Sequence, residues 1–152
     1  MAERGSGLGV AAEPWWVPPN SASWAVDRLS SVAITWRVTG EPVPCSRLEA
    51  GDGYVAVRWG NVSVVGVYLP PSWDVARFEM ALDAISSCVT RILPGPVVVA
   101  GDFNAKSALW GSPVTDHRGR ILECWAAGLG LIIMNEGYVQ TCVRQRGGLS
   151  LI

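Results

Sequence analysis

Apolar positions along this chain fall into two periods, and the switches between them outline its elements. Ser31–Val38, centred on Val32-Ala33-Ile34-Thr35-Trp36, is a β-branched and aromatic run that predicts a strand. Tyr54–Trp59 and Val62–Tyr68 are two more such runs, and Gly60-Asn61 between them predicts a tight antiparallel hairpin. Pro70-Pro71 stops the second run, and Ser72 stands where a helix cap is wanted. Val75, Phe78, Leu82, Ile85, Val89 and Ile92 then recur at three- and four-residue spacing, which predicts an amphipathic helix through about Leu93. Pro94-Gly95-Pro96 turns the chain into Val97-Val98-Val99-Ala100, an unbroken apolar run that reads as a strand buried on both faces. A second helix opens near Arg118 or Gly119, carries the stripe Ile121, Leu122, Trp125 and Ala126, and stops at Gly128. Leu131–Met134 and Tyr138–Val143 read as further strands, and Gly147–Ile152 as the start of a last one. Arg47–Gly53 reads as a connection, and residues 1–29 as an irregular N-terminal segment.

Strands, a helix, a buried strand, a second helix and more strands predict a mixed, layered α/β protein. A dinucleotide-binding fold has no support, because neither GxGxxG nor GxxxxGK[ST] follows a strand. With 152 residues there is core enough for one domain, and 49% hydrophobic against 16% charged residues excludes global disorder. A formal net charge of −1 supplies no basic field, which counts against a non-specific nucleic-acid binding module. It leaves room for an enzyme with a local basic rim from Arg118, Arg120, Arg144 and Arg146, although these side chains read more readily as solvated surface charges.

Cys45, Cys88, Cys124 and Cys142 form no CxxC pair and His117 is the only histidine, so a structural zinc site is not expected. Cys88 and Cys124 fall in helical patterns and read as small buried apolar residues. Met1–Asn20 lacks the apolar core of a secretory signal, and no run of 18 apolar residues provides a membrane span, so no membrane partner is expected. Among eight tryptophans, Trp59, Trp110 and Trp125 suit a core, whereas Trp15 and Trp16 lie in a proline-rich stretch and read as loosely placed.

The candidate chemistry sits at the end of the apolar run, in Gly101-Asp102-Phe103-Asn104. A carboxylate and an amide two residues apart face one side of an extended chain, at the kind of strand end where α/β proteins build sites. Two readings stand side by side. One is a phosphodiester-cleaving centre, with Asp102 acting on water or metal and Asn104 on a phosphate oxygen. The other is a local turn whose side chains cap backbone amides.

Val97–Gly111, with Asn104-Ala105-Lys106 and Trp110-Gly111, followed by Thr115-Asp116-His117-Arg118-Gly119 and a helix, resembles the endonuclease/exonuclease/phosphatase superfamily. The resemblance is closest to the apurinic-like endonuclease domain of R1/Jockey-type non-LTR retrotransposons. It implies an α/β fold, here a fragment of a two-sheet β-sandwich flanked by helices, with a partial domain over residues 30–152. It also implies Mg2+-dependent cleavage of phosphodiesters in double-stranded DNA. The parent would be a polyprotein that also carries a reverse transcriptase domain and acts in the nucleus. Carried onto this chain, Asp102 resembles the acid that orients water, Asn104 the amide that contacts the scissile phosphate, and Tyr68 the strand-end tyrosine beside it. On its own chemistry, Tyr68 reads as a residue packing a sheet.

Thr115-Asp116-His117 is similar to the Ser-Asp-His signature that closes this superfamily. Its position before Arg118-Gly119 instead matches the family's TDxRG segment, so Asp116 is read as a loop or helix-start residue and His117 as a surface loop residue. The family's early strand ends in a glutamine-glutamate pair whose glutamate binds metal. Glu13-Pro14 superficially resembles its continuation, but Ala11-Ala12 stands where the strand end is expected, so this principal metal glutamate reads as absent. Thr141 and Ser150-Leu151-Ile152 resemble the run leading to a final aspartate and strand. The chain thus reads as the middle of a nuclease domain. The alternative role is an inactive or domesticated retrotransposon remnant acting as a protein-interaction domain.

Overall fold

The computed structural model describes residues 7–135 and the short strands at 142–143 and 148–149. Its elements are β1 (Leu8–Ala12), β2 (Trp24–Val26), β3 (Val32–Trp36), β4 (Cys45–Gly51), β5 (Tyr54–Trp59), β6 (Val62–Tyr68), α1 (Val75–Ile92), β7 (Val97–Asp102), α2 (His117–Gly128), β8 (Cys142–Val143) and β9 (Gly148–Leu149). Strands β1-β3-β2 form one sheet, β4-β5-β6-β7 a second, and β8 pairs with β9. The hairpin turns at Gly60-Asn61 as expected, with Trp59 opposite Val62 and Tyr54 opposite Val67. A helical crossover then lays β7 parallel to β6, as a parallel pair requires.

Alternation along β6 divides the core into two layers. Val64 and Tyr68 face the smaller sheet, among Val32, Ile34, Trp36, Val55 and Val57. Val65 and Val67 face the helices, where Phe78, Leu82, Ile85 and Val89 of α1 meet Leu122 of α2. Each large side chain enclosed there contributes about 1.5–3 kcal/mol of burial. Two facing sheets with helices against one of them bear out the expected sandwich architecture.

Several local expectations are corrected. Residues 1–29 are not irregular throughout: β1 and β2 both pair antiparallel with β3. Arg47–Gly53 is largely strand rather than connection. The polar side chains of β4 hide it from the apolar pattern, and a bulge between Arg47 and Glu49 breaks its alternation. Arg47 donates to the carbonyls of Ser21 and Trp24, while Glu49 accepts from Tyr54 Oη and pairs with Arg91. Asp74, not Ser72, caps α1 by accepting from the Arg77 amide at 2.8 Å. The helix starts late because a turn joining the Trp73 amide to the Pro70 carbonyl intervenes.

The Val97–Ala100 run is not buried on both faces. Among the described residues β7 is the outermost strand of its sheet, and Val98 is 51% exposed. Leu131–Met134 forms no ladder among the described residues; the Leu131 amide instead bonds back to the Ala126 carbonyl across left-handed Gly130, a bond that closes the C-terminal end of α2. Of the strand expected at Tyr138–Val143, residues 138–141 lie outside the described residues, while 142–143 are extended in β8.

The helix cysteines also divide. Cys88 is enclosed in the core and its thiol is pushed up to about 11, mainly by burial, whereas Cys124 is exposed rather than buried. A thiol reagent at pH 8 is therefore expected to modify Cys124 rapidly and Cys88 only on unfolding, as peptide mapping would show. Equal labelling of both in the folded protein would contradict this packing.

Candidate active site

Parallel pairing of β6 with β7 sets Tyr68 directly opposite Asp102 at the C-terminal ends of both strands. Register partners share a face of the sheet, so the phenol and the carboxylate stand on the side toward the smaller sheet. Tyr68 is also the packing residue its own chemistry suggested, with its ring buried against Val32, Ile34, Val55 and Val57. The pairing continues one residue further, where the Leu69 amide donates to the Asp102 carbonyl at 2.9 Å.

Beyond Asp102 the chain reverses. Asn104 takes a left-handed conformation, φ 48°, and its amide donates to Asp102 Oδ1 at 2.9 Å. Asn104 Nδ2 donates to the Leu69 carbonyl at 3.1 Å, back across the strand pair. The turn reading is therefore realised at Asp102 but not at Asn104, whose side chain donates to a carbonyl of the neighbouring strand instead of capping an amide, and it does not displace the chemical reading. The same hydrogen bonds hold a buried carboxylate and a half-buried amide at one strand end, with one hydrogen of the amide committed.

Arg118 locks this loop to the next. Its guanidinium donates to the carbonyls of Asn104 (3.3 Å), Pro70 (3.0 Å) and Trp73 (3.2 Å), and lies 4.4 Å above the Phe78 ring. Burial draws its pKa below the usual arginine value, and nearby Asp116 opposes that shift. Arg118 is thus a brace between loops rather than part of a basic rim. Arg120 is exposed, and residues 144 and 146 lie outside the described residues.

Asp116 caps α2 as expected, accepting from the amides of Gly119 (2.7 Å) and Lys106 (3.2 Å). His117 is exposed as expected, but it opens α2 instead of lying in a loop, because the Asp116 cap starts the helix one residue earlier than Arg118. At Gly119 a Cβ would collide with the Lys106 carbonyl, so glycine is required for α2 to approach the loop.

Glu13 stands at a strand end that the sequence reading, lacking β1, did not place there. A Cβ on Gly7 would stand 2.7 Å from Trp59, at the start of the hairpin, and one on Gly66 would stand 3.1 Å from Val10. Progress along β1 from Gly7 to Val10 thus tracks progress along β6 from its start toward Gly66. Continued onward, β1 delivers Glu13 toward the end where β6 and β7 deliver Tyr68 and Asp102. Glu13 follows directly on Ala12, exposed, in a left-handed bend at φ 48°, with its amide bonded to the Ser31 carbonyl at 2.8 Å. The available signal was a period of two: Leu8, Val10 and Ala12 all pack against the inter-sheet core.

Among the described residues, no three His, Cys, Asp or Glu side chains gather as a metal cage. One or two carboxylates with an amide at the same edge nevertheless suit Mg2+, a hard cation that keeps much of its water.

Residues 62–152 match the family described as Endonuclease-reverse transcriptase. The chain belongs to this family. The RNA-directed DNA polymerase from mobile element jockey of Drosophila melanogaster is 36% identical over 84 residues, covering 54% of this chain and 8% of that protein. The jockey protein of Drosophila funebris is 29% identical over 99 residues, covering 62% of this chain and 10% of the relative. The chain therefore spans a tenth or less of these curated relatives. In three dimensions it is similar to the endonuclease domain of TRAS1, a telomere-specific non-LTR retrotransposon, with a TM-score of 0.77 and 24% identity over 98% of this chain and 71% of that one. That likeness bears on the fold. With the family match, it bears out the resemblance to the endonuclease/exonuclease/phosphatase superfamily and its jockey-type branch.

Proposed function

We propose that this member of the Endonuclease-reverse transcriptase family carries the phosphodiester-hydrolysing centre of a DNA-nicking endonuclease. The observation that carries the reading is the pairing of Tyr68 with Asp102 at adjacent parallel strand ends, with Asn104 in the turn that Asp102 holds. Asp102 orients the attacking water as a hydrogen-bond acceptor. The second amide hydrogen of Asn104 and the Tyr68 hydroxyl donate to the phosphate oxygens as negative charge develops. Glu13 and Asp102 are the carboxylates that would hold Mg2+, which when bound supplies charge neutralisation at the phosphate. Burial of Asp102 and Tyr68, with the loops that follow them tied together by Arg118, keeps these donors and acceptors fixed before substrate arrives.

Because the chain spans a small part of its jockey relatives, we read it as one portion of a longer polyprotein. Its partners are then double-stranded DNA and a reverse transcriptase domain of the same polypeptide, and its place of action is the nucleus.

Relaxation of supercoiled plasmid tests the reading. Purified protein is expected to convert supercoiled DNA to the open-circular form with Mg2+ and to stop on addition of EDTA. Thermal melting, run in parallel, is expected to show a cooperative transition with or without metal. A well-folded protein that leaves the plasmid supercoiled at every Mg2+ concentration would overturn this function in favour of the interaction-domain reading.

A further inference from the structure

Trp15 is 96% exposed and Trp16 beside it 58% exposed, the former being the most open large apolar side chain among the described residues. Tryptophan is highly buried on average, and each indole carries roughly 150–250 Å² of surface to be removed from water. We propose that Trp15, supported by Trp16, is a base-stacking contact for substrate DNA, resting against exposed nucleobase faces next to the scissile phosphate. This deepens the nuclease reading above and rests on it.

Three observations converge on DNA as the occupant. The first is position: Trp15 lies two residues beyond Glu13, on the segment by which β1 leaves toward the edge where β6 and β7 end. An aromatic there meets nucleic acid bound across Tyr68 and Asp102.

The second is stiffness. Pro14, Pro18 and Pro19 bracket the pair, and the Glu13 amide is bonded to the Ser31 carbonyl at 2.8 Å. Proline-restricted backbone loses little entropy on binding, so an indole held out in solvent by such a segment is prepared for contact.

The third is charge. Twelve Lys and Arg are balanced by thirteen Asp and Glu, so the formal net charge is −1, and Arg118, the arginine nearest the Asn104 turn, is committed to three carbonyls. Stacking is a source of nucleic-acid affinity that needs no cation. Any base offers it a π-face, most readily at a flexible step or where the duplex opens.

Fluorescence anisotropy with a short fluorescein-labelled duplex, in EDTA so that binding is read apart from cleavage, tests this. Trp15→Ala is expected to weaken binding roughly 5- to 150-fold, the range of one lost base stack. Trp15→Phe keeps a stacking face and is expected to stay within about threefold of the parent. The slope of log affinity against log salt is expected to be the same in all three, because no phosphate contact is removed. The side chain is fully exposed, so its removal leaves the core intact, and matching melting curves check this. A parent that binds duplex while Trp15→Ala binds equally well overturns the stacking contact alone. A parent with no affinity for duplex overturns the nuclease reading and the contact with it. A change in salt slope with Trp15→Ala would overturn stacking as the mechanism.

Discussion

Asp102→Asn is expected to lower the rate of strand nicking by roughly 10²–10⁴-fold while leaving the fold in place. The substitution is nearly isosteric, and the new amide oxygen still accepts the Asn104 N–H that the carboxylate accepts at 2.9 Å. The loop is therefore retained, and what disappears is the negative charge beneath it. A neutral amide orients water weakly, cannot take a proton from it, and holds a hard cation poorly. Nicking rates of parent and variant at saturating DNA, alongside their melting temperatures, separate the two effects. Equal rates would remove Asp102 from the chemistry. A fall in rate matched by a collapse in stability would make it a structural residue.

Gly101→Ala is expected to be the most damaging single-methyl change near the site, destabilising the fold by about 2–6 kcal/mol. Gly101 has φ +149°, a conformation that L side chains rarely adopt, and a Cβ there would collide with the Val67 carbonyl of its own register partner. The strain and the overpacking each cost about 1–3 kcal/mol, against a total stability of order 5–15 kcal/mol for a domain. Relief requires β7 to move away from β6 immediately before Tyr68 and Asp102, so nicking should fall along with stability. A drop in melting temperature of about 5–20 °C corresponds to that loss for a chain of this size. An unchanged melting curve would show that the close approach of the two strands is not obligatory.

These two neighbours differ in how readable they were. Asp102 and Asn104 stood out because a β-branched run ending in Gly-Asp-x-Asn combines a strand signal with acid and amide chemistry. The local cap at Asp102, which accepts the Asn104 amide two residues on, was legible as well, whereas the Asn104 side chain reaches the Leu69 carbonyl on the neighbouring strand, a partner no local pattern shows. Arg118 was less legible: its charge suggested a surface rim, yet it braces three carbonyls contributed by loops more than a dozen residues away. Glu13 was missed as a strand-end residue because five small or apolar residues, Leu8–Ala12, make a weak pattern. They become a strand only because β3 offers them a ladder and Gly66 lets the opposite sheet come close.

By itself the sequence determined the hairpin at Gly60-Asn61, the two helices with their apolar stripes, the β7 segment and the Asp102-capped turn that follows it. In each, the deciding interaction lies within a few residues: a turn conformation, a 3.6-residue period, or a side chain capping the next amide. Only the tertiary structure decided that β1 exists, that β7 leaves Val98 half open, that Leu131–Met134 joins no ladder, and that Tyr68 stands opposite Asp102. Those outcomes depend on which strand lies beside which. Strand pairing is settled by backbone hydrogen bonds and burial between segments far apart in the chain, where no local pattern carries the answer.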